Sequence, residues 1–234
     1  MMDWLHLLDH DASAPWTFLD LGFWVFLVGV LLVDGLWNRD RQRALRHGWL
    51  LLASLLFYWK TSGWFVGILV FSTFSDHLIG HRIARSDSDR SRNAWLALSI
   101  ALNLGLLFYF KYTYFLTDAW NGATGSHIIP RNWLAVGANA ALGTTWSVDR
   151  ILLPVGISFY TFQTISYTVD IRRGQVAPLK RLTDFGFYVS FFPQLVAGPI
   201  VRAAEFVPQI LNPGRVTRAT VGLAGFWILN GLLK

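Results

Sequence analysis

In residues 152–174, LLPVGISFYTFQTISYTVDIRRG, uncharged side chains able to exchange hydrogen bonds interrupt an apolar run, among them Ser158, Gln163, Ser166 and Tyr167. On a helix Gln163, Ser166 and Tyr167 stand at i, i+3 and i+4 and share one face. Such a neutral polar stripe suits the lining of a hydrated passage or a hydrogen-bonded seam between buried helices, and the spacing leaves both open. Residues 190–202, SFFPQLVAGPIVR, repeat the theme, with Gln194 among the breakers Pro193, Gly198 and Pro199 and with Arg202 at the end. Polar groups in hydrocarbon cost free energy unless partnered, so both strings belong inside a helical bundle. Asp170, followed by Arg172 and Arg173, either anchors a span at the interface or guards the mouth of a passage as an ion pair. Arg202 either attracts an anionic donor or serves as a topology signal.

Other reactive groups are few. There is no cysteine, which excludes a disulfide, a thiolate metal site and a thioester on the chain itself. Glu205 is the sole glutamate, which argues against paired-carboxylate chemistry. Asp76 and His77 lie at membrane depth, where an ionisable residue is a functional candidate by default. His77 and His81 are one helical turn apart, but no glutamate completes an H-E-x-x-H, so no metal site is expected. Asp34, followed by Trp37, is expected to face head groups or a neighbouring helix.

The elements that must position these residues are set by composition. Hydrophobic residues make up 53% of the 234, aromatic 16% and charged 15%, against roughly 25% charged in soluble domains. The reading is an all-α, polytopic membrane bundle with short, broken and re-entrant helices. Spans are expected over 18–37, 93–115, 151–171 and 216–233. Residues 48–80 are too long for one pass and should fold as a hairpin broken at Thr61-Ser62-Gly63, with Tyr58, Trp59 and Trp64 at the interface. Residues 117–150 are polar, Gly-rich and poor in basic residues, so they belong outside, while 185–200 should dip in and turn back. Most of the 20 Lys and Arg fall in short stretches after Arg39, Arg82, Arg172 and Arg202, which places those loops on one, cytoplasmic, side. The net charge of +6 forms no extended basic face, so nucleic acid is not an expected partner. The final apolar run reaches Lys234 without a cap or tail, and the chain reads as cut.

The two long strings resemble signature segments of the membrane-bound O-acyltransferase family, in its alginate O-acetylation branch. Three shorter stretches follow the family in the same order: STFSDHLIG at 72–80, FYFKYTYF at 108–115 and GLLK at 231–234. One departure is His77, where the family more often has an aromatic residue after the aspartate matched by Asp76. The resemblance implies that residues 1–234 are the N-terminal part of one transmembrane domain in the bacterial inner membrane. It implies transfer of an acyl group, often acetyl, through a tunnel from a cytoplasmic donor such as acetyl-CoA or an acyl carrier to an exported polysaccharide such as alginate, with a periplasmic or membrane acyltransferase as partner and no bound cofactor.

The family's catalytic histidine lies beyond the GLLK-like segment, so none of His6, His10, His47, His77, His81 and His127 is expected to be catalytic. A base titrating near neutrality is what the chemistry needs, because an alcohol is a poor nucleophile until its proton is taken. Ser158, Gln163, Ser166, Tyr167 and Gln194 are then tunnel-lining candidates, and Asp170 and Arg202 donor-side candidates. Other classes consistent with the residues are a multi-pass transporter with broken helices and a noncatalytic membrane scaffold. No second copy of LPVGISF or FPQLVAGPI supports an internal repeat.

Overall fold

The computed structural model describes residues 20–37, 42–195, 198–199, 201–211 and 217–233, and among them every regular element is helical. In order these are α1 (Leu21–Leu36), α2 (Arg43–Ser62), α3 (Val66–Arg85), α4 (Asp89–Leu107), α5 (Thr113–Thr124), α6 (Trp133–Leu142), α7 (Ile157–Arg172), α8 (Leu182–Ser190), α9 (Phe192–Leu195), α10 (Ala203–Leu211) and α11 (Arg218–Leu232). Two continuous helical stretches, Arg43–Arg85 and Asp89–Thr124, are long and apolar enough to cross a membrane.

The first of these reverses direction. Gly63 ends α2 with φ 59°, a conformation costly for residues with a side chain, and a 3-10 turn Gly63–Phe65 leads into α3. In an unbroken helix positions 47 and 77 would lie roughly 45 Å apart. Instead His47 reaches Asp184 at 2.8 Å, while the His77 ring lies 5.8 Å from that of the adjacent Phe185. The expected hairpin is therefore present, and each of its arms, about 20 residues long, spans about 30 Å.

Antiparallel pairing continues on both sides. Asp34 of α1 accepts Arg46 Nε at 2.7 Å and its second guanidinium nitrogen at 3.1 Å, while Trp49 donates to the Val30 carbonyl at 3.3 Å. Asp34 thus faces a neighbouring helix, one of the two placements its position allowed. Ser72 meets Asn103 and Asp76 meets Ser99, which pairs α3 with α4. Asn103 meets Thr164 and Ser99 meets Thr168, which pairs α4 with α7. This alternation gathers Arg46, Arg82, Arg85, Arg90, Arg92, Arg172 and Arg173 at one end of the bundle. Arg172 there bridges to Asp89 at 3.0 Å and donates to Asn93 at 2.8 Å.

From the same end α8 runs inward along α2. Asp184 is level with His47, and the Phe192 amide reaches Ser54 Oγ at 3.3 Å. Leu195 then abuts Gly156, the residue before α7, and α10 returns until the Leu211 carbonyl accepts Arg43 at 3.1 Å. α8 thus runs inward from this end and α10 runs back toward it. The core between these elements is aromatic. Phe57 and Phe192 approach at 5.4 Å, Tyr167 and Phe185 at 4.4 Å, and Tyr188 and Phe206 at 5.5 Å.

Several expectations are corrected. The span expected over 93–115 continues through a π-helical turn, Phe108–Tyr112, to Thr124 and stops only at Gly125, because no proline and no unsuitable backbone intervenes. The segment 117–150 is therefore partly helical, with α6 capped by Asn132, whose side chain accepts the Ala135 amide at 3.0 Å. Tyr58 is fully buried and donates to the Val155 carbonyl at 2.8 Å, so it is no interfacial aromatic, while Trp64 is exposed. Arg202 does not join the other arginines: it begins α10 beside Tyr188, whose hydroxyl donates to the Val201 carbonyl at 3.3 Å, and it is the far end of α10 that reaches Arg43. Phe18, His6, His10, Arg39, Arg41, Ile200, Arg215, Val216 and Lys234 lie outside the described residues.

Candidate functional site

Three helices each carry a polar pair at i and i+4, and the pairs face one another. Ser72 and Asp76 lie on α3, Ser99 and Asn103 on α4, and Thr164 and Thr168 on α7, all buried. Asp76 Oδ1 accepts Ser99 Oγ at 2.6 Å, and Oδ2 accepts Asn103 Nδ2 at 2.6 Å. The amide oxygen of Asn103 accepts Ser72 at 2.9 Å and Thr164 at 3.0 Å, and Thr168 Oγ1 lies 3.1 Å from Ser99 Oγ. Each carboxylate oxygen has a donor, so the penalty of burying it is offset within the bundle. Just below, Gly80 lets α7 come close: a Cβ there would stand 3.0 Å from both Tyr167 and Ile171. Asp76 has no exposed surface, and the cluster built around it joins α3, α4 and α7.

A second buried unit joins α2 to α8. His47 Nδ1 and Asp184 Oδ1 are 2.8 Å apart, and the imidazole stacks on Phe187 at 5.5 Å with planes 20° apart. A carboxylate held to one ring nitrogen orients the imidazole, as in acid–base dyads, and His47 is 1% exposed. Asp184 also lines a cleft of about 510 Å³ at the arginine-rich end, with Arg43, Lys180 and Arg181.

The residues singled out along α7 fall on the neighbouring face. Gln163 Nε2 donates to the Tyr188 carbonyl at 2.7 Å, Ser166 donates to the Gln163 carbonyl at 2.8 Å, and the Tyr167 hydroxyl accepts the Leu179 amide at 2.9 Å. Gln163 and Tyr167 thus tie α7 to α8 and to the loop before it. Ser158 is half-buried with Lys111 Nζ 3.5 Å away, and Gln194 Nε2 donates to the Pro199 carbonyl at 3.0 Å, closing the turn of the inward dip. Asp170 is buried with its Oδ2 unpartnered, and Arg172 pairs with Asp89, not with it. Arg202 is exposed. His77 and His81 stand edge to face at 4.7 Å with His77 Nδ1 unpartnered, and among the described residues no third ligand joins them.

Similarity to known proteins bears on what this arrangement serves. The chain is 36% identical over 198 residues, 82% of its length, to "Probable alginate O-acetylase AlgI" of Pseudomonas aeruginosa. It is 36% identical over 163 residues, 68% of its length, to the protein of that name from Azotobacter vinelandii. To "Peptidoglycan O-acetyltransferase" of Helicobacter pylori it is 30% identical over 212 residues, 80% of its length. The chain belongs to the membrane-bound O-acyltransferase family. It spans about a third of the length of these relatives, with 33%, 30% and 37% of each covered. No protein-family model matches it, and neither does a solved structure.

Within this chain, sequence reasoning singled out Asp76 but not its partners. The signal was the recurrence of polar pairs four apart, 72/76, 99/103 and 164/168, on three apolar helices, since such pairs lie one turn apart on one face. The pairing of His47 with Asp184 left no such signal, because the two come from segments 137 positions apart.

Proposed function

We propose that this chain is the N-terminal part of a bacterial inner-membrane O-acetyltransferase. The enzyme passes an acetyl group from a cytoplasmic donor, acetyl-CoA or an acyl carrier, to a hydroxyl of an exported polysaccharide, alginate being the first candidate. The observation that carries this reading is the 36% identity to an alginate O-acetylase across 82% of the chain. The arginine-rich end faces the cytoplasm, residues 185–200 are re-entrant from that side, and the two long helical stretches with α1 and α7 make the domain multi-pass. The shared end of the arginines and the inward and outward course of α8 to α10 support that topology.

The passage runs beside α7 and the dip. Ser158, Gln163, Ser166, Tyr167 and Gln194 form its wall, and the hydrogen bonds of Gln163 and Tyr167 hold that wall together. Asp170 stands on the donor side, while Arg202 lies away from the arginine-rich end. The general base is a histidine of the family's later helices, which takes the acceptor's proton as its oxygen attacks the acyl carbonyl, while enclosure keeps water from competing. A periplasmic or membrane acyltransferase is its partner in acetylating the polymer.

A chimaera tests the proposal. In a Pseudomonas aeruginosa strain lacking its alginate O-acetylase, that protein is expressed with its matching third replaced by this chain, and acetyl ester on secreted alginate is measured. Restored acetylation is expected. A chimaera that accumulates in the membrane and leaves alginate unacetylated would overturn the reading.

A further inference from the structure

The cleft at the arginine-rich end has an unbalanced lining. Arg43 at the start of α2 and Lys180 and Arg181 before α8 place three cations around about 510 Å³, and the carboxylate present, Asp184, is already held by His47 at 2.8 Å. Arg43 spends one donor on the Leu211 carbonyl at 3.1 Å, which leaves other N–H groups of its guanidinium available. Neither Lys180 nor Arg181 forms an ion pair among the described residues, and both are exposed. Like charges drawn together in a concave site repel one another and concentrate anions from their surroundings.

The rest of the lining is apolar, with Leu179 buried and Leu211 at the end of α10. Leu45, two positions from Arg43, and Leu182, next to Arg181, are 58% and 40% exposed. Cations beside outward-facing leucines, at the end of helices long enough to cross a bilayer, match the boundary between phosphates and acyl chains. We infer that the cleft formed by Arg43, Lys180 and Arg181 binds the phosphodiester head group of an anionic phospholipid, whose chains cover the adjoining leucines. The recognising chemistry is a phosphate ester, which a soluble phosphorylated donor also carries, and the leucines are what select the lipid.

The inference rests on the membrane placement proposed above. Alkaline carbonate extraction tests that placement by itself, so a chain that resists extraction yet shows no lipid preference defeats this inference alone. The full chain, purified in neutral detergent, is titrated with phosphatidylglycerol or phosphatidylcholine and bound lipid is counted by native mass spectrometry. Each cation beside an anionic head group is worth roughly a factor of five, so Lys180→Gln/Arg181→Gln should bind phosphatidylglycerol about twenty-five-fold more weakly. Phosphatidylcholine should bind weakly to both. Arg85→Gln/Arg90→Gln, which removes two exposed cations from the same end, should bind like the unaltered chain. The single change Lys180→Gln, with about a fivefold loss expected, serves if the double variant fails to fold. Equal phosphatidylglycerol binding by the cleft variant and the unaltered chain would overturn the inference. So would an equal loss in the control variant, or coenzyme A binding with this charge dependence while lipid does not.

Discussion

His47 and Asp184, 137 positions apart in the chain, share a hydrogen bond of 2.8 Å between two buried side chains. The bond fastens α8 to the start of the α2–α3 hairpin, so it holds the inward dip in register with the bundle. Removing one partner of a buried polar pair leaves the other unsatisfied, at a cost of about 1–3 kcal/mol. Asp184→Ala is expected to lower the free energy of unfolding in detergent by that order, and Asp184→Asn, which keeps an accepting oxygen, by less, both read as a lower unfolding midpoint. Midpoints equal to the unaltered chain would show that the pair contributes nothing to the dip.

The Asp76 cluster should behave as one unit. Asp76→Ala strands the Ser99 hydroxyl and the Asn103 amide, each costing about 1–3 kcal/mol. Asn103→Leu removes a donor and an acceptor at once. The expected result is that Asp76→Ala/Asn103→Leu loses clearly less than the sum of the two single changes, read by thermal unfolding in a double-mutant cycle. Simple additivity would mean that the three helices are not coupled through these side chains.

Gly156 is required twice over. Its φ of 73° costs other residues about 1–2 kcal/mol, and a Cβ would stand 2.6 Å from the Leu195 carbonyl oxygen. Gly156→Ala should therefore destabilise the contact between the start of α7 and the tip of the dip, with protease cutting after Phe191 or Leu195 as the sensitive readout. Protection equal to that of the unaltered chain would contradict the close approach.

Sidedness is open to a labelling experiment, helped by the absence of native cysteine. Single cysteines at Arg85, Arg90 and Arg173 should react with a membrane-impermeant maleimide from one side of sealed vesicles, and a cysteine at Gly125 from the other. Reaction of Arg85 and Arg173 replacements from opposite sides would break the antiparallel arrangement.

Much of this architecture was readable from residue order. The break at Gly63, the placement of arginines beside apolar runs and the low charge follow from local rules: glycine tolerates positive φ, and charge avoids hydrocarbon. The Gln163, Ser166 and Tyr167 stripe was visible too, but periodicity does not say whether a stripe meets a helix or a passage. In the fold Gln163 meets the Tyr188 carbonyl and Tyr167 the Leu179 amide.

By itself the sequence determined helices, their turns, and kinship with O-acyltransferases, because each depends on short stretches whose chemistry acts locally. Tertiary structure alone decided that Asp76 is shared by three helices, that Asp184 belongs to His47, and that Arg202 stands apart from the other arginines. Those outcomes depend on which helix faces are brought within about 3 Å of one another, and hydrogen bonds fall off too steeply with distance for spacing along the chain to reveal them.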